Sequence, residues 1–358
     1  MRFRNSNTPS LKSNRARRTE ASSLGRRAGR DAILPPLRFF TCRTLDLWSV
    51  RLSGFRIALG LVSGALALAT DSAHAGVIFE TTSAYHHIQV ADAYNLRTLL
   101  FDRSSESQMS LRNTFEGAFE YTEMFHLAWL WNMKITNVLM VGLGGASTQR
   151  AFEHDYPGVQ IDTVEVDPAV LRVAKDYFYF RESARQQVFL EDGRVFLRRS
   201  QKQFDAIFMD AYSENRYGAF IPQHLVTKEF FALAASRLTT NGVLAYNVMG
   251  SLQGWQADLL GATYKTLKTV FPQVYLFPCR TSLNVVFVAA RTPDRTGLNL
   301  LWQRADFLLR QRRVTLPTFR VRLNALYAEP PPTASRSPLL TDDFAPVERL
   351  LQGVGRQN

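Results

Sequence analysis

Apolar and polar positions change their spacing twice along this chain. Across residues 76–112 the apolar residues come in short β-prone runs. His86-His-Ile-Gln-Val90 and Leu96-Arg-Thr-Leu-Leu-Phe101 are the clearest, separated by the turn-like Asp92-Ala-Tyr-Asn95. They predict a small antiparallel β unit. Over 120–132 the spacing becomes i, i+3, i+4, with Tyr121, Met124, Phe125, Ala128 and Trp129 on one side, which predicts a helix. Beyond Val138, apolar runs alternate with amphipathic stretches. Strands are expected at 138–141, 161–165, 188–190, 206–209 and 243–247, and helices at 148–154, 169–178, 193–199 and 228–238. A helix at 255–270 and strands at 274–277 and 284–289 would complete the sheet. Apolar strands alternating with helices mean βαβ units and parallel strands. The expected fold class is therefore α/β: a Rossmann-like, methyltransferase-type sheet preceded by a small antiparallel β domain.

This pattern divides the chain into a leader (1–75), a small β domain (76–117), a cofactor-binding catalytic domain (118–328) and a C-terminal tail (329–358). The run Glu329-Pro-Pro-Pro-Thr333 reads as a stiff linker before the tail. No internal repeat is evident.

Composition adds limits. With 46% hydrophobic and 21% charged residues, a sizeable core is expected. The net charge of +12 suggests nucleic acid until its distribution is examined. The leader holds 13 Lys and Arg against 4 Asp and Glu, whereas the remaining residues hold 30 against 27. The folded part is close to neutral and carries no basic cluster in the sequence, so nucleic acid is not an expected partner. Cys42 and Cys279 give no disulfide framework and no zinc spacing, and no metal is expected.

Within the leader, Arg51-Leu-Ser-Gly-Phe-Arg56 precedes an apolar run over 57–69 and then Ala73-His-Ala75. Charged start, short apolar run and A-x-A site read as a signal peptide over 51–75, with a packed N-terminal helix as the other reading. The run is too short for a stable membrane span. Initiation near Val50 or Leu52 would give such a signal its ordinary length. Export to the periplasm follows from the signal; a cytoplasmic location follows from the cofactor discussed below. Both stand at this stage.

Four motifs carry chemistry. Val138-Leu-Met-Val-Gly-Leu-Gly-Gly-Ala-Ser147 runs a strand into Gly142, Gly144 and Gly145 and then a helix. Glycines let the backbone turn sharply and approach a ligand, and the helix N-terminus offers free N–H groups. Ser147 stands where the strict dinucleotide pattern has Gly or Ala. In Thr163-Val-Glu-Val-Asp167, Glu165 ends the next expected strand, where an acid accepts hydrogen bonds from both ribose hydroxyls. In Leu190-Glu-Asp-Gly193, Asp192 can accept from an adenine amino group, cap the following helix, or do both. In Phe208-Met-Asp-Ala-Tyr-Ser213, Asp210 ends the fourth expected strand, where a carboxylate can take a proton from an attacking amine, or cap a helix. His126, His154 and His224 read as core or surface residues, and Tyr177-Phe-Tyr-Phe180 as a packed helix end.

Taken in order, these motifs resemble the spermidine synthase family of aminopropyltransferases, from about Tyr85 to Ala289. The family's small β domain is matched by Ser83-Ala-Tyr-His-His-Ile88 and its Tyr-Gln-Glu-Met helix by Tyr121-Thr-Glu-Met124. The Gly-rich turn, the acidic strand end, the Gly-Asp-Gly turn and the Asp-Ser-Ser-Asp loop correspond to 142–147, 164–167, 191–193 and 210–213. The tail Thr341-Asp-Asp-Phe-Ala-Pro-Val347 is similar to bacterial members. The resemblance implies decarboxylated S-adenosylmethionine as co-substrate and a small amine as acceptor. Glu165 would hold ribose, Asp192 adenine, and His86 would stand where the family commonly has Gln. Asp210 would deprotonate the amine and Tyr121 would orient it. A homo-oligomer is implied as well.

Three family groups are absent. Gly145 and Ser213 replace aspartates, and Thr122 replaces a glutamine. Glu214, beside Ser213, is the nearest candidate to stand in for the lost acid. An Asp at 145 would repel the carboxylate of intact S-adenosylmethionine, and Gly145 removes that repulsion. An S-adenosylmethionine-dependent methyltransferase, or a non-catalytic protein binding a nucleoside or polyamine, therefore stays open as an alternative.

Overall fold

The computed structural model describes residues 76–351, apart from 103, 116, 117, 216, 217 and 255; the side chains of 214–218 are also outside it. The leader, its signal-like segment 51–75, and the end of the tail lie outside the described residues.

Strands β1 (Gly76–Thr82), β2 (His87–Ala93), β3 (Leu96–Phe101) and β4 (Ser104–Ser110) form an antiparallel meander in that order. Alternation puts Ile88, Val90, Leu99 and Met109 on one face, where they pack with Leu143, Val170, Val173 and Phe178 of the larger sheet's layer. The expected β unit is present. Its outer strands are the ones that apolar spacing does not mark; β4 reads Ser-Ser-Glu-Ser-Gln-Met-Ser.

Helix α1 (Glu120–Met124) tightens into a 3-10 helix, Phe125–Leu130, where a single helix over 120–132 was expected. All six residues of the 3-10 segment are buried, so it has no polar face to keep toward water and its path follows the packing around it.

The large sheet follows as β5 (Asn137–Val141), α2 (Ser147–Asp155), β6 (Gln160–Glu165), α3 (Pro168–Tyr177), β7 (Gln186–Leu190), α4 (Gly193–Arg199) and β8 (Phe204–Met209). A small hairpin, β9 (Ser213–Asn215) and β10 (Gly218–Phe220), precedes α5 (Lys228–Ser236) and β11 (Leu238–Met249). Then come α6 (Ala257–Lys268), β12 (Gln273–Pro278) and β13 (Asn284–Ala290). Helix starts obey local chemistry. Asp167 caps α3 ahead of Pro168, Asp192 caps α4, and Thr227 caps α5.

The strand order is β12-β13-β11-β8-β5-β6-β7. From β11 to β7 the strands are parallel, and β13 runs antiparallel to both neighbours. The chain enters mid-sheet at β5, moves outward to β7, and resumes on the other side at β8. That reversal opens a crevice at the carboxyl ends of β5 and β8, where ligands bind in such sheets.

Helices α7 (Leu298–Arg310) and α8 (Phe319–Leu323) cover the face behind β5, with Leu301, Ala305 and Leu308 turned inward. The tail differs from expectation. Leu340 and, in α9 (Val347–Leu351), Val347 and Leu350 share one core with β8 and β11. Thr333 Oγ1 donates to Ala257 O at 2.6 Å. Residues 329–351 are thus part of the domain, because their apolar side chains cover the α5–α6 layer. Among the described residues no helix is long and apolar enough to cross a membrane.

Candidate active site

Two backbone hydrogen bonds close the floor of the crevice. Asp210 N donates to Val141 O and Gly142 N to Val164 O, each at 2.9 Å. Gly142 has φ +100°, and a Cβ there would lie 2.1 Å from Asp210 O. Gly144 has φ +51°, with Ser107 Oγ 2.7 Å from the place of its missing Cβ. Both glycines are needed for conformation and for close approach.

Above this floor lies a cavity of about 280 Å³. Its lining brings together Gly142, Gly144, Glu165, Asp192, Asp210, Tyr121 and His86, seven of the eight expected site residues. Gly145 is the exception. Its N–H donates to Ser107 Oγ at 2.9 Å, and a Cβ there would lie 2.9 Å from Ser107 Cβ and 3.0 Å from Phe178 Cδ1. It underlies the turn and offers its N–H to β4 instead of to a ligand.

One half of the cavity gathers Glu165, Asp192 and His86. Glu165 closes β6, and its two oxygens accept from Leu143 N (3.0 Å) and Asp167 N (2.9 Å). Those bonds aim the carboxylate at the cavity, and burial pushes its pKa up against them. Asp192 Oδ1 accepts from Arg194 N and Val195 N, so the capping role holds. Its Oδ2 meets His224 Nε2 at 2.8 Å, and that partner holds the Asp192 pKa below its ordinary value. His86 is stacked on Phe101, ring centroids 4.2 Å apart, and burial lowers its pKa, so the ring is neutral at pH 7. The Gly-rich turn, the strand-end Glu165 and Asp192 fit an adenosyl group. Among the described residues, no group of three or more His, Cys, Asp or Glu could hold a metal ion.

The other half surrounds Asp210. Asn247 Nδ2 donates to Asp210 Oδ1 at 2.9 Å, and the Tyr121 hydroxyl is hydrogen-bonded to the same carboxylate. Burial pushes the Asp210 pKa up to about 6, opposed by those two donors. Burial, then the Asp210 charge, raises the Tyr121 pKa well above its ordinary value, so Tyr121 stays a donor. Tyr212 donates to Asn247 O at 2.7 Å and accepts from Met249 N at 2.9 Å. Glu106 lines the cavity from β4, close enough to Tyr121 and Tyr212 for its charge to oppose their ionisation.

Asn247, Tyr212, Glu106 and His224 escaped the sequence reading. Asn247 sits at the carboxyl end of an expected strand, a position that could have marked it. His224 was read as core or surface; it lines the cavity instead, whereas His126 is a core residue, its Nδ1 2.6 Å from Tyr156 OH. Glu106 lies in a polar run with no distinguishing signal. Ser213 lines the cavity; the Glu214 side chain lies outside the described residues.

A parallel-centred sheet with a crevice at its switch point, and a buried carboxylate facing it, is the Rossmann-like, methyltransferase-type fold. Residues 118–292 match the spermine/spermidine synthase domain. A polyamine aminopropyltransferase of Vibrio vulnificus is 29% identical over 288 residues, 76% of this chain and 91% of that protein. An eEF1A lysine and N-terminal methyltransferase of Xenopus laevis is 31% identical over 166 residues, 44% of this chain but only 23% of that protein. A crystal structure of spermidine synthase with the transition-state analogue AdoDATO shares the fold, with TM-score 0.57, 20% identity, and coverage of 71% of this chain and 84% of that one. The chain is thus similar to the spermidine synthase family, through the domain match at 118–292 and along most of the length of the Vibrio relative.

Proposed function

We propose that this protein transfers an aminopropyl group from decarboxylated S-adenosylmethionine to a small amine. The observation that carries this reading is the charge of the cavity. Its described lining includes Glu106, Glu165, Glu191, Asp192 and Asp210, and neither Lys nor Arg. A decarboxylated sulfonium and a protonated amine are both cationic and suit such a pocket. The described lining offers the carboxylate of the intact cofactor neither Lys nor Arg. Glu106 supplies, from β4, an acid on the acceptor side that Gly145 and Ser213 do not.

Gly142 and Gly144 admit the co-substrate, Glu165 receives its ribose hydroxyls, and Asp192 its adenine amino group. The sulfonium supplies the leaving group. The acceptor nitrogen bonds to the carbon next to sulfur as that carbon–sulfur bond breaks, releasing methylthioadenosine. Asp210 takes the proton lost by the nitrogen, and Tyr121 and Asn247 hold the carboxylate in place.

Methyl transfer from intact S-adenosylmethionine is the second reading, supported by the segment similar to the Xenopus methyltransferase. Calorimetry of the full chain with both cofactors, followed by turnover assays with putrescine and spermidine, separates them. Tighter binding of the decarboxylated form with diamine turnover is the expected result. Preference for the intact form moves the assignment to methyl transfer, and binding of neither rejects both.

A further inference from the structure

Asp192, the acid facing the adenine end, is held from well outside its own helix. Its partner His224 sits on the short 3-10 turn Gln223–Leu225, and the His224 carbonyl accepts from Arg194 Nη1 at 3.1 Å. Asp342 grips the Arg194 guanidinium from across the fold. Nη1 donates to Oδ1 at 2.7 Å and Nη2 to Oδ2 at 2.5 Å. Thr227 Oγ1 donates to the same Oδ1 at 2.7 Å.

We propose that Asp342 is a positioning residue for cofactor binding, acting through Arg194 on His224 and through His224 on Asp192. Asp192 and His224 line the cavity; Arg194 and Asp342 do not. Arg194 Nε is buried without a partner, so the side chain's orientation is set by what its terminal nitrogens meet, Asp342 and the His224 carbonyl. A fork-to-fork pair fixes both direction and plane, as a single-point contact would not.

The tail does not need this carboxylate to stay in place. Lys228 N donates to Leu340 O (2.9 Å), and Leu340 N donates to Thr266 Oγ1 (3.0 Å). Asp342 N donates to Glu229 Oε2 (2.9 Å), and Thr341 and Phe344 exchange backbone hydrogen bonds. Removing the Asp342 carboxylate therefore frees Arg194 while the strap stays docked. The Asp342 side chain is 41% exposed, which limits what the pair adds to global stability. Its role is one of aim.

This inference rests on an adenosyl ligand occupying the cavity, and not on which group is transferred. The test is calorimetry of the full chain with 5′-methylthioadenosine, which carries the adenosyl group alone. Asp342→Asn is expected to raise Kd about tenfold, the loss of one supporting hydrogen bond, with Tm changed by less than about 2 °C. Under turnover, KM for the co-substrate rises and kcat holds. Arg194→Met gives the same loss, and the double variant binds no worse than either single one. Unchanged Kd in Asp342→Asn, or a lowered Tm with Kd unchanged, overturns the inference while leaving the proposed function standing. If the wild-type chain does not bind methylthioadenosine, both fall together.

Discussion

Asp210 accepts a hydrogen bond from Asn247 Nδ2, and Asn247 Oδ1 in turn accepts one from Asn284 Nδ2, both at 2.9 Å. The carboxylate at the end of β8 is thus steadied by side chains from the next two strands, β11 and β13. Burial raises its pKa while this relay keeps it from rising further. A carboxylate with a pKa of about 6 is ionised at neutral pH and is a stronger base than an exposed one.

Asp210→Asn should lower kcat by about 10²–10⁴-fold with nucleoside Kd within about twofold of wild type. In the wild type, kcat/KM should fall about tenfold per pH unit below about 6. Stability moves the other way. The folded pKa lies above the ordinary 3.8, so the cost of the buried charge is absent near pH 4 and complete above about 6. Thermal melts of Asp210→Asn should gain more over wild type at pH 8 than at pH 4.5. An equal difference at both pH values rejects the assignment.

Tyr121→Phe removes a donor that holds the Asp210 pKa down. The acid limb of the kcat/KM profile should shift to higher pH, and kcat at pH 8 should drop about tenfold. A profile with an unmoved midpoint would separate Tyr121 from the base.

Glu106→Gln keeps shape and removes charge. KM for the acceptor amine is expected to rise about 10–100-fold, the weight of a charged hydrogen bond. Methylthioadenosine binding should stay unchanged. Equal losses in both would place Glu106 with the nucleoside.

Gly145→Asp tests the idea that this position selects the cofactor. Its Cβ would press on Ser107 Cβ and the Phe178 ring. The expected result is destabilisation of about 1–3 kcal/mol in urea unfolding. The relative affinity for intact and decarboxylated cofactor should not change.

Much of the sheet was legible in the sequence because its central strands are buried on both faces and bounded by glycine or acid. Residues 193–199 match α4 in full, since Asp192 announces its start. Two kinds of element escaped. The 3-10 segment Phe125–Leu130 is buried all round, so the apolar spacing there carries no direction. α7 has a readable stripe, Leu301, Ala305 and Leu308, but follows no Ser, Thr, Asp or Asn cap that would announce its start. The candidate site was legible where backbone geometry dictates residue type, as at Gly142 and Glu165. It was not legible where distant segments meet. Nothing local to Glu106, His224 or Asn284 says that they share a cavity. Gly145 looked like a ligand contact because the turn's sequence does not reveal Ser107, 38 residues upstream, accepting its N–H.

That contact bears on how the two sheets can vary. Ser107 belongs to the meander, yet it shapes the cofactor turn of the neighbouring domain. Exchanging the meander for one from another transferase would alter nucleoside affinity, even with every residue of the larger domain retained. The two modules are therefore not interchangeable parts, and the Ser107 hydroxyl is one place, beside their shared apolar core, where drift in one is constrained by the other.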